Sequence, residues 1–418
     1  MEKLIVFVPH QDDEINLVGN ILFELVKKYE VYIVYSSLEI DKSKAEIRKR
    51  ESFKACKIYG INKEHIIFLG YPDTFNKTGH HFFTDGNSFI INDFKNIIES
   101  LYPQIIIGTD FDFHSDHRML SLALDEAMRN VLLENKNYHP KYLKGFCYET
   151  AYYGIEDYSA SALEQTKVKS NLLGNVSYRW EDRISIKSHE RNGFILFKKA
   201  YKALKCYSSQ CAVLHARSII NADNIFWEKR TDNLMLFAKI YSNNNLVPSL
   251  NDFMVIDTND IITIDQKLIN YSKGVWQSKG KSTEIIIKWP QKVRIDRLVF
   301  HGNPNLAIKK ELCVCVNNEQ GNKICEINSI NEYGRATQII FDAVECDTLK
   351  IICESRDKII ELSEIEAYLG DSLLVLQSTF IDNKVYKTNK LIDYFDQLIF
   401  KTVVLKTKVK RKIFSLMK

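Results

Sequence analysis

Two short stretches carry residue types that can do chemistry. The first, "PHQDDE" at residues 9–14, places His10, Asp12, Asp13 and Glu14 directly after the apolar run at 4–8. The second, "HSDH" at residues 114–117, places His114, Asp116 and His117 shortly after the apolar run at 105–108. Imidazole nitrogen and carboxylate oxygen are ligands of catalytic zinc, which takes three protein ligands and keeps one position open. A carboxylate left over from such a set can serve as general base. Loops of this kind, between a strand and a helix, often hold a phosphate, but three adjacent carboxylates would repel one. A cation is the fitting guest. Taken singly, the first stretch could cap a helix and the second could be a solvated turn. Their recurrence at two strand ends argues that they converge.

The elements that would position them follow from periodicity. Short apolar runs at 4–8, 31–36, 66–69 and 105–108 read as buried strands. Amphipathic patterns at 15–29, 43–58, 91–101 and 118–134 read as helices between them. Strand–helix alternation means βαβ units and a parallel, Rossmann-like sheet covered on both faces. On such a sheet the ends of strands 4–8 and 105–108 lie on the same edge. A further helix is expected over 187–206. The stretch "SNNNLVPSL" is polar and marks a linker at 242–254. Beyond it, "EIIIKW", "VRIDRLVF", "ELCVCV" and "LKIIC" alternate without helical crossovers, the pattern of an antiparallel β-sandwich. The expected organisation is an α/β domain at 1–241, the linker, a sandwich at 255–370 and a basic helical tail at 371–418.

Composition limits the alternatives. The 418 residues are 45% hydrophobic and 11% aromatic, as in a folded protein of more than one domain. Residues 381–418 hold ten Lys or Arg and three Asp, whereas the whole chain has a net charge of +4. The rest of the chain is therefore mildly acidic, which argues against nucleic acid as a partner. No apolar run is long enough to span a bilayer. The first residues open on a strand without a signal-peptide pattern, so a cytoplasmic location is expected. Nine cysteines without a C-x-x-C pair read as free thiols.

"PHQDDE" paired with "HSDH" resembles the PIG-L/LmbE-like zinc-dependent N-acetylglucosaminyl deacetylases. The resemblance extends to "RKRESFKACKIYG" at 48–60, to "FLGYPD" ending at Asp73, and to "KALKCYSSQ" and "FWEKRTDN", over about residues 1–240. Gln11 stands where the family has a proline that stiffens the loop. The resemblance implies one Zn²⁺, or another divalent metal such as Fe²⁺, on His10, Asp13 and His117. It implies Asp12 as the base, with His114, oriented by Asp116, as electrostatic stabiliser or proton donor. Arg48 and Asp73 match positions near substrate. The implied activity is removal of the N-acetyl group from a GlcNAc-type amino sugar in glycan or glycoconjugate synthesis. An amidase acting on another sugar-linked amide, such as a sugar-thiol conjugate, and a non-catalytic glycan-binding scaffold are the alternatives. The sandwich resembles the discoidin (galactose-binding-like) jelly roll, whose rim loops bind glycans. Trp276 and Trp289 are candidates to stack on sugar or to be buried.

The tail carries a signal of its own. Leu391, Phe395, Leu398, Leu405, Val409, Ile413 and Leu416 recur at helical steps, with lysines and Arg411 between them. Such a seam fits an anionic membrane surface on the cytoplasmic side, or docking on the sandwich or on a partner such as a glycosyltransferase.

Overall fold

The structure is a computed structural model. It describes the chain apart from residues 74–88, 111–114, 148–154, 158–166, 169–183, 188–194, 216–218, 220–222, 256–274, 279, 305, 307–308, 356–358, 372–389 and 417–418. In chain order, β1 (Glu2–Val8), α1 (Asp13–Val18), α2 (Leu22–Lys28), β2 (Tyr29–Leu38), α3 (Lys42–Tyr59), β3 (Ile66–Pro72), α4 (Phe89–Leu101), β4 (Ile105–Thr109), α5 (Ser115–Glu134) and β5 (Lys141–Gly145) alternate as the sequence pattern requires. The sheet order is β3-β2-β1-β4-β5, all parallel. Beyond the short pair β6 (Ile155–Asp157) and β7 (Lys167–Val168), the chain adds β8 (Ile184–Lys187), α6 (Lys199–Leu204) and β9 (Asp223–Lys229). Strands β9 and β8 extend the edge beside β5 in antiparallel sense.

The apolar strands are buried on both faces because helices cover both. Leu4, Val6 and Val8 of β1 enter one core with Ile15, Leu25, Ala55 and Cys56. Ile5 and Phe7 enter the other with Ile90, Phe94, Leu120 and Leu124. Helices α1 to α3 therefore lie on one face and α4 and α5 on the opposite face. Gly108 lets α5 approach β4 closely, since a Cβ there would stand 2.6 Å from Leu124 Cδ2. Helix α3 starts at Asp41, whose carboxylate accepts from the Ser43 and Lys44 N–H groups, and ends at Gly60 with φ 87°.

Two helices differ from expectation. The pattern read as one helix over 15–29 is two, α1 and α2, with a break at residues 19–21. Residues 13–22 are all buried, so this segment turns within the core instead of running along its surface. The pattern read as a helix over 187–206 straddles the end of β8 and the short α6.

The second unit is an antiparallel sandwich of β10 (Lys239–Ser242), β11 (Asn245–Leu246), β12 (Trp276–Gln277), β13 (Ser282–Gly302), β14 (Lys310–Asn318), β15 (Lys323–Ile330), β16 (Thr337–Ser355) and β17 (Glu361–Tyr368). Strands β13 and β16, 21 and 19 residues long, serve both layers. Their register shifts at Lys288/Val293 and Ile295/Arg297, irregularities of the kind that bend strands from one layer to the next. Alternate residues such as Ile285, Ile287, Ile295, Leu349, Ile351 and Cys353 fill its core. Trp289 is buried there and donates its indole N–H to the Leu234 carbonyl, 2.9 Å away, which removes it as a sugar platform. All nine cysteines are free thiols.

The polar stretch expected to be a linker is built into the joint between the units. β10 pairs with β13, and Val247 and Leu250 lie in the sandwich core. Phe253 and Met254 lie in the core of the α/β unit. The buried Glu364 carboxylate of β17 accepts from the Asp252 and Phe253 N–H groups at 3.1 and 3.2 Å. The Arg230 guanidinium lies 3.8 Å from the Tyr368 ring centroid and donates to the Gly370 carbonyl. Polar composition misled here because asparagines serve the β10–β11 turn, where Asn243 and Asn244 take positive φ. The tail forms α7 (Lys390–Leu416). Among the described residues, no helix is long and apolar enough to cross a membrane.

Candidate functional site

The order β2-β1-β4-β5 makes the gap between β1 and β4 a topological switch point, because the helix following β1 and the helix following β4 leave to opposite faces. Ligands of open α/β sheets bind in the crevice at the carboxyl ends of such strands. The two histidine-carboxylate stretches occupy that position.

His10, Asp13 and His117 come together there, each at most 5% exposed. One ligand atom from each lies within 4.8 Å of the others. His10 Nδ1 is 3.1 Å and His117 Nε2 is 3.2 Å from Asp13 Oδ2. Burial pushes the Asp13 carboxyl upward, but the two imidazoles and the hydrogen bond from His10 hold it well below the usual range. It is a buried anion, and its Oδ1 has no hydrogen-bond partner among the described residues. Two imidazole nitrogens and one carboxylate oxygen, dry and convergent, are a donor set that fits zinc or a similar divalent ion.

Asp116 has His10 as a partner. Its Oδ2 stands 2.9 Å from His10 Nε2, and its side chain is fully buried at the start of α5. His114, which it was expected to orient, lies outside the described residues. A carboxylate on the far nitrogen fixes an imidazole's tautomer and leaves the other nitrogen, here Nδ1, to face the ion. We therefore expect Asp116→Ala to weaken metal binding by roughly 10–100-fold, the usual effect of losing such a support. Competition against a calibrated chelator reads this directly, and unchanged affinity would remove Asp116 from the centre.

Asp12 occupies a strained position. Its φ is 110° with ψ −21°, a left-handed conformation that costs a non-glycine residue about 1–3 kcal/mol. The surrounding packing maintains it. Gln11 is fully buried, and its amide donates to the Ser37 carbonyl at 2.8 Å. In turn the Ser37 N–H donates to the Pro9 carbonyl at 2.9 Å. The side-chain amide thus stiffens the loop where the family uses proline. Burial raises the Asp12 carboxyl well above its ordinary range. The Asp13 charge adds to this, and Arg48 only partly offsets it.

Arg48 and Asp73 also reach the site. Arg48 is 4% exposed and lies 3.4 Å from Asp73 Oδ2 and 3.6 Å from Glu39 Oε1. Asp73 offers an atom within 4.8 Å of His10 and Asp116. This pair is therefore a wall of the centre, not an ion pair on the outer surface.

Three supports had no clear signal in the sequence. Glu14 accepts from the Asp12 N–H at 3.1 Å through one oxygen and from the Tyr207 hydroxyl through the other. Burial pushes Glu14 up to about 7 against those hydrogen bonds. Tyr207 lies within "KALKCYSSQ", and the next two residues are held by α3. Glu51 accepts from Ser208 Oγ and the Ser209 N–H, both at 2.9 Å. The third support is a buried cation. Lys144 of β5 is 2% exposed and sits 2.9 Å from both Asp125 oxygens, 3.4 Å from Asp110 Oδ1 and beside Ser121. It ties β5 and the residue after β4 to the helix that carries Asp116 and His117.

Fold and site together define a parallel α/β scaffold whose switch point carries a histidine–aspartate cluster able to hold a metal ion. Residues 5–128 match the family model described as PIG-L, GlcNAc-PI de-N-acetylase, and this part of the chain is a PIG-L family domain. The match runs from β1 into α5, and β5, β9 and β8 complete the same sheet beyond it. Among solved structures, the chain is similar to the N,N′-diacetylchitobiose deacetylase from Pyrococcus horikoshii, with 20% identity and a TM-score of 0.29. That likeness covers 37% of this chain and 64% of the deacetylase, so the chain spans less than two thirds of its length. It is also similar to the 4-carboxy-2-hydroxymuconate hydratase GalB from Pseudomonas putida (12%, 52% of this chain, 83% of that chain, TM-score 0.33). The second unit is similar to a CBM32 module from Clostridium perfringens in complex with GalNAc-β-1,3-galactose (15%, 32% of this chain, 99% of that chain, TM-score 0.23). No curated protein sequence matches the chain.

Proposed function

We propose that the protein is a metal-dependent N-deacetylase that removes the acetyl group from an N-acetylated, GlcNAc-type amino sugar during glycan or glycoconjugate synthesis. The observation that carries this reading is the convergence of His10, Asp13 and His117 beside a further buried carboxylate, Asp12, in a PIG-L family domain. Zinc is the metal proposed, and His10 Nδ1, Asp13 and His117 would hold it. When bound, such an ion supplies Lewis-acid polarisation of the amide carbonyl and acidifies water.

The chain's own residues supply the rest. Asp12, raised by burial and by its neighbour Asp13, is the base that takes a proton from the attacking water. Its left-handed backbone and the Gln11–Ser37 hydrogen bond hold that carboxylate in place before substrate arrives. Asp116 holds His10 in one tautomer. Arg48, beside Asp73, would orient sugar hydroxyls. His114 would act as electrostatic stabiliser or as proton donor to the departing amine, as the family resemblance implies. The C–N bond of the amide breaks, water's oxygen stays on the acetyl carbon, and acetate and a free sugar amine leave.

Acetate release from a panel of N-acetylhexosamines, free and carried on lipid or nucleotide, tests the assignment. Release from at least one sugar supports it. Cleavage only of a bulkier sugar-linked amide would favour the amidase reading. Stable sugar binding without any cleavage would favour a scaffold.

A further inference from the structure

We propose that α7 seats this protein on an anionic lipid bilayer, lying in the plane of the surface. This rests on the structure of the tail and does not depend on the hydrolytic reading. On a helix of 3.6 residues per turn, Tyr394, Phe395, Leu398, Leu405 and Val409 fall on one face. All five are exposed, by 65, 42, 50, 64 and 50% respectively. The helix is nevertheless held to the body of the protein, by a different edge. Ile399 and Val403, about a quarter-turn round from that stripe, pack against the core of the α/β unit that includes Ala212 and Val213. The helix is thus docked through one edge while its larger apolar stripe points away. Of the seam read from the sequence, Leu391, Phe395, Leu398, Leu405 and Val409 are exposed among the described residues.

Charge selects the occupant. Lys401, Lys406 and Lys408 flank the outward stripe and are exposed. From residue 397 to the last residue of the chain there is no Asp or Glu, whereas Lys and Arg recur throughout. An apolar stripe with Tyr and Phe near one end, edged by cations and free of acids after Asp396, complements a surface that is apolar below and anionic at its headgroups. A neutral protein groove would match the stripe but leave the flanking lysines unmatched. A membrane-crossing role is excluded for this helix, which is too polar to span.

Co-sedimentation of the full chain with vesicles tests this. Vesicles of phosphatidylcholine containing phosphatidylglycerol should carry the protein down at low salt, and vesicles of phosphatidylcholine alone should not. Raising the salt, or making Lys401→Gln, Lys406→Gln and Lys408→Gln together, should each lower the bound fraction at least fivefold. Leu398→Asp with Leu405→Asp should abolish binding. These positions are exposed, so denaturation midpoints should match the parent and show that each variant is folded. No sedimentation with anionic vesicles at low salt would overturn the proposal. So would binding that is indifferent to lipid charge and to the lysine variant. A dimer in solution that the double aspartate variant dissociates would assign the stripe to a second copy of this chain instead.

Discussion

Asp12→Asn is expected to lower turnover by about 10²–10⁴-fold, the usual contribution of a positioned general base, while the protein keeps its full metal content. The two readouts separate because Asp12 stands next to the ligands without being one of them. The convergent set is His10, Asp13 and His117, and asparagine preserves the size of the buried side chain. His10→Ala should behave in the opposite order and lose metal first, since it removes both a donor and the partner of Asp116. Asp12→Asn that lost metal along with activity would move Asp12 into the ligand set. Asp12→Asn with parental turnover would assign the base elsewhere.

Lys144→Met should destabilise the protein by about 3–5 kcal/mol, the cost of breaking a buried ion-pair network, here by removing the cation between Asp110 and Asp125. Lys144 lies 2.9 Å from both oxygens of Asp125, and Lys229 reaches the same carboxylate at 2.7 Å. Burial pushes Asp125 upward, but Lys144 and Lys229 outweigh it and leave its carboxyl below the ordinary value. A carboxylate depressed on folding stabilises in full above its unfolded pKa, and that stability is lost as the pH falls through the folded value. The variant and parent should therefore differ most near neutral pH and converge in acid. Adding Asp125→Leu to Lys144→Met should recover part of the loss, because an apolar pair removes the unpaired charge. Chemical denaturation of the parent and the two variants at pH 7 and at low pH measures this. A single variant within about 0.5 kcal/mol of the parent, the range of an ordinary surface change, would show that the cation is dispensable.

The contrast between these two regions shows what sequence can carry. The convergence of His10, Asp13 and His117 was legible because those residues are concentrated in two short stretches, each at the end of an apolar run whose buried face needs no partner to be recognised. Their meeting followed from one topological fact, the adjacency of β1 and β4. Lys144 was not legible. It sits in "KYLKG", an unremarkable strand, and its partners Asp110, Ser121 and Asp125 come from a loop and a helix. Only the parallel pairing of β4 with β5 brings them together. Tyr207 is similar, since 193 residues separate it from Glu14. The contact of Asp116 with His10 was not legible either, because 106 positions separate them and only the adjacency of β1 and β4 brings the start of α5 to the β1 loop. At 242–254, asparagine and serine in a tight turn read like those of a linker, and the pairing of β10 with β13 is a long-range contact that composition does not show.

One measurement bears most directly on the account as a whole. The full chain, stripped by chelation, would be titrated with Zn²⁺ while acetate release from its best N-acetylated sugar and bound metal are followed together. Acetate release should be absent in the stripped protein and should rise with added zinc. It should stop rising when about one ion is bound per chain, the stoichiometry of a three-ligand catalytic site. Undiminished acetate release by the metal-free protein would contradict the account.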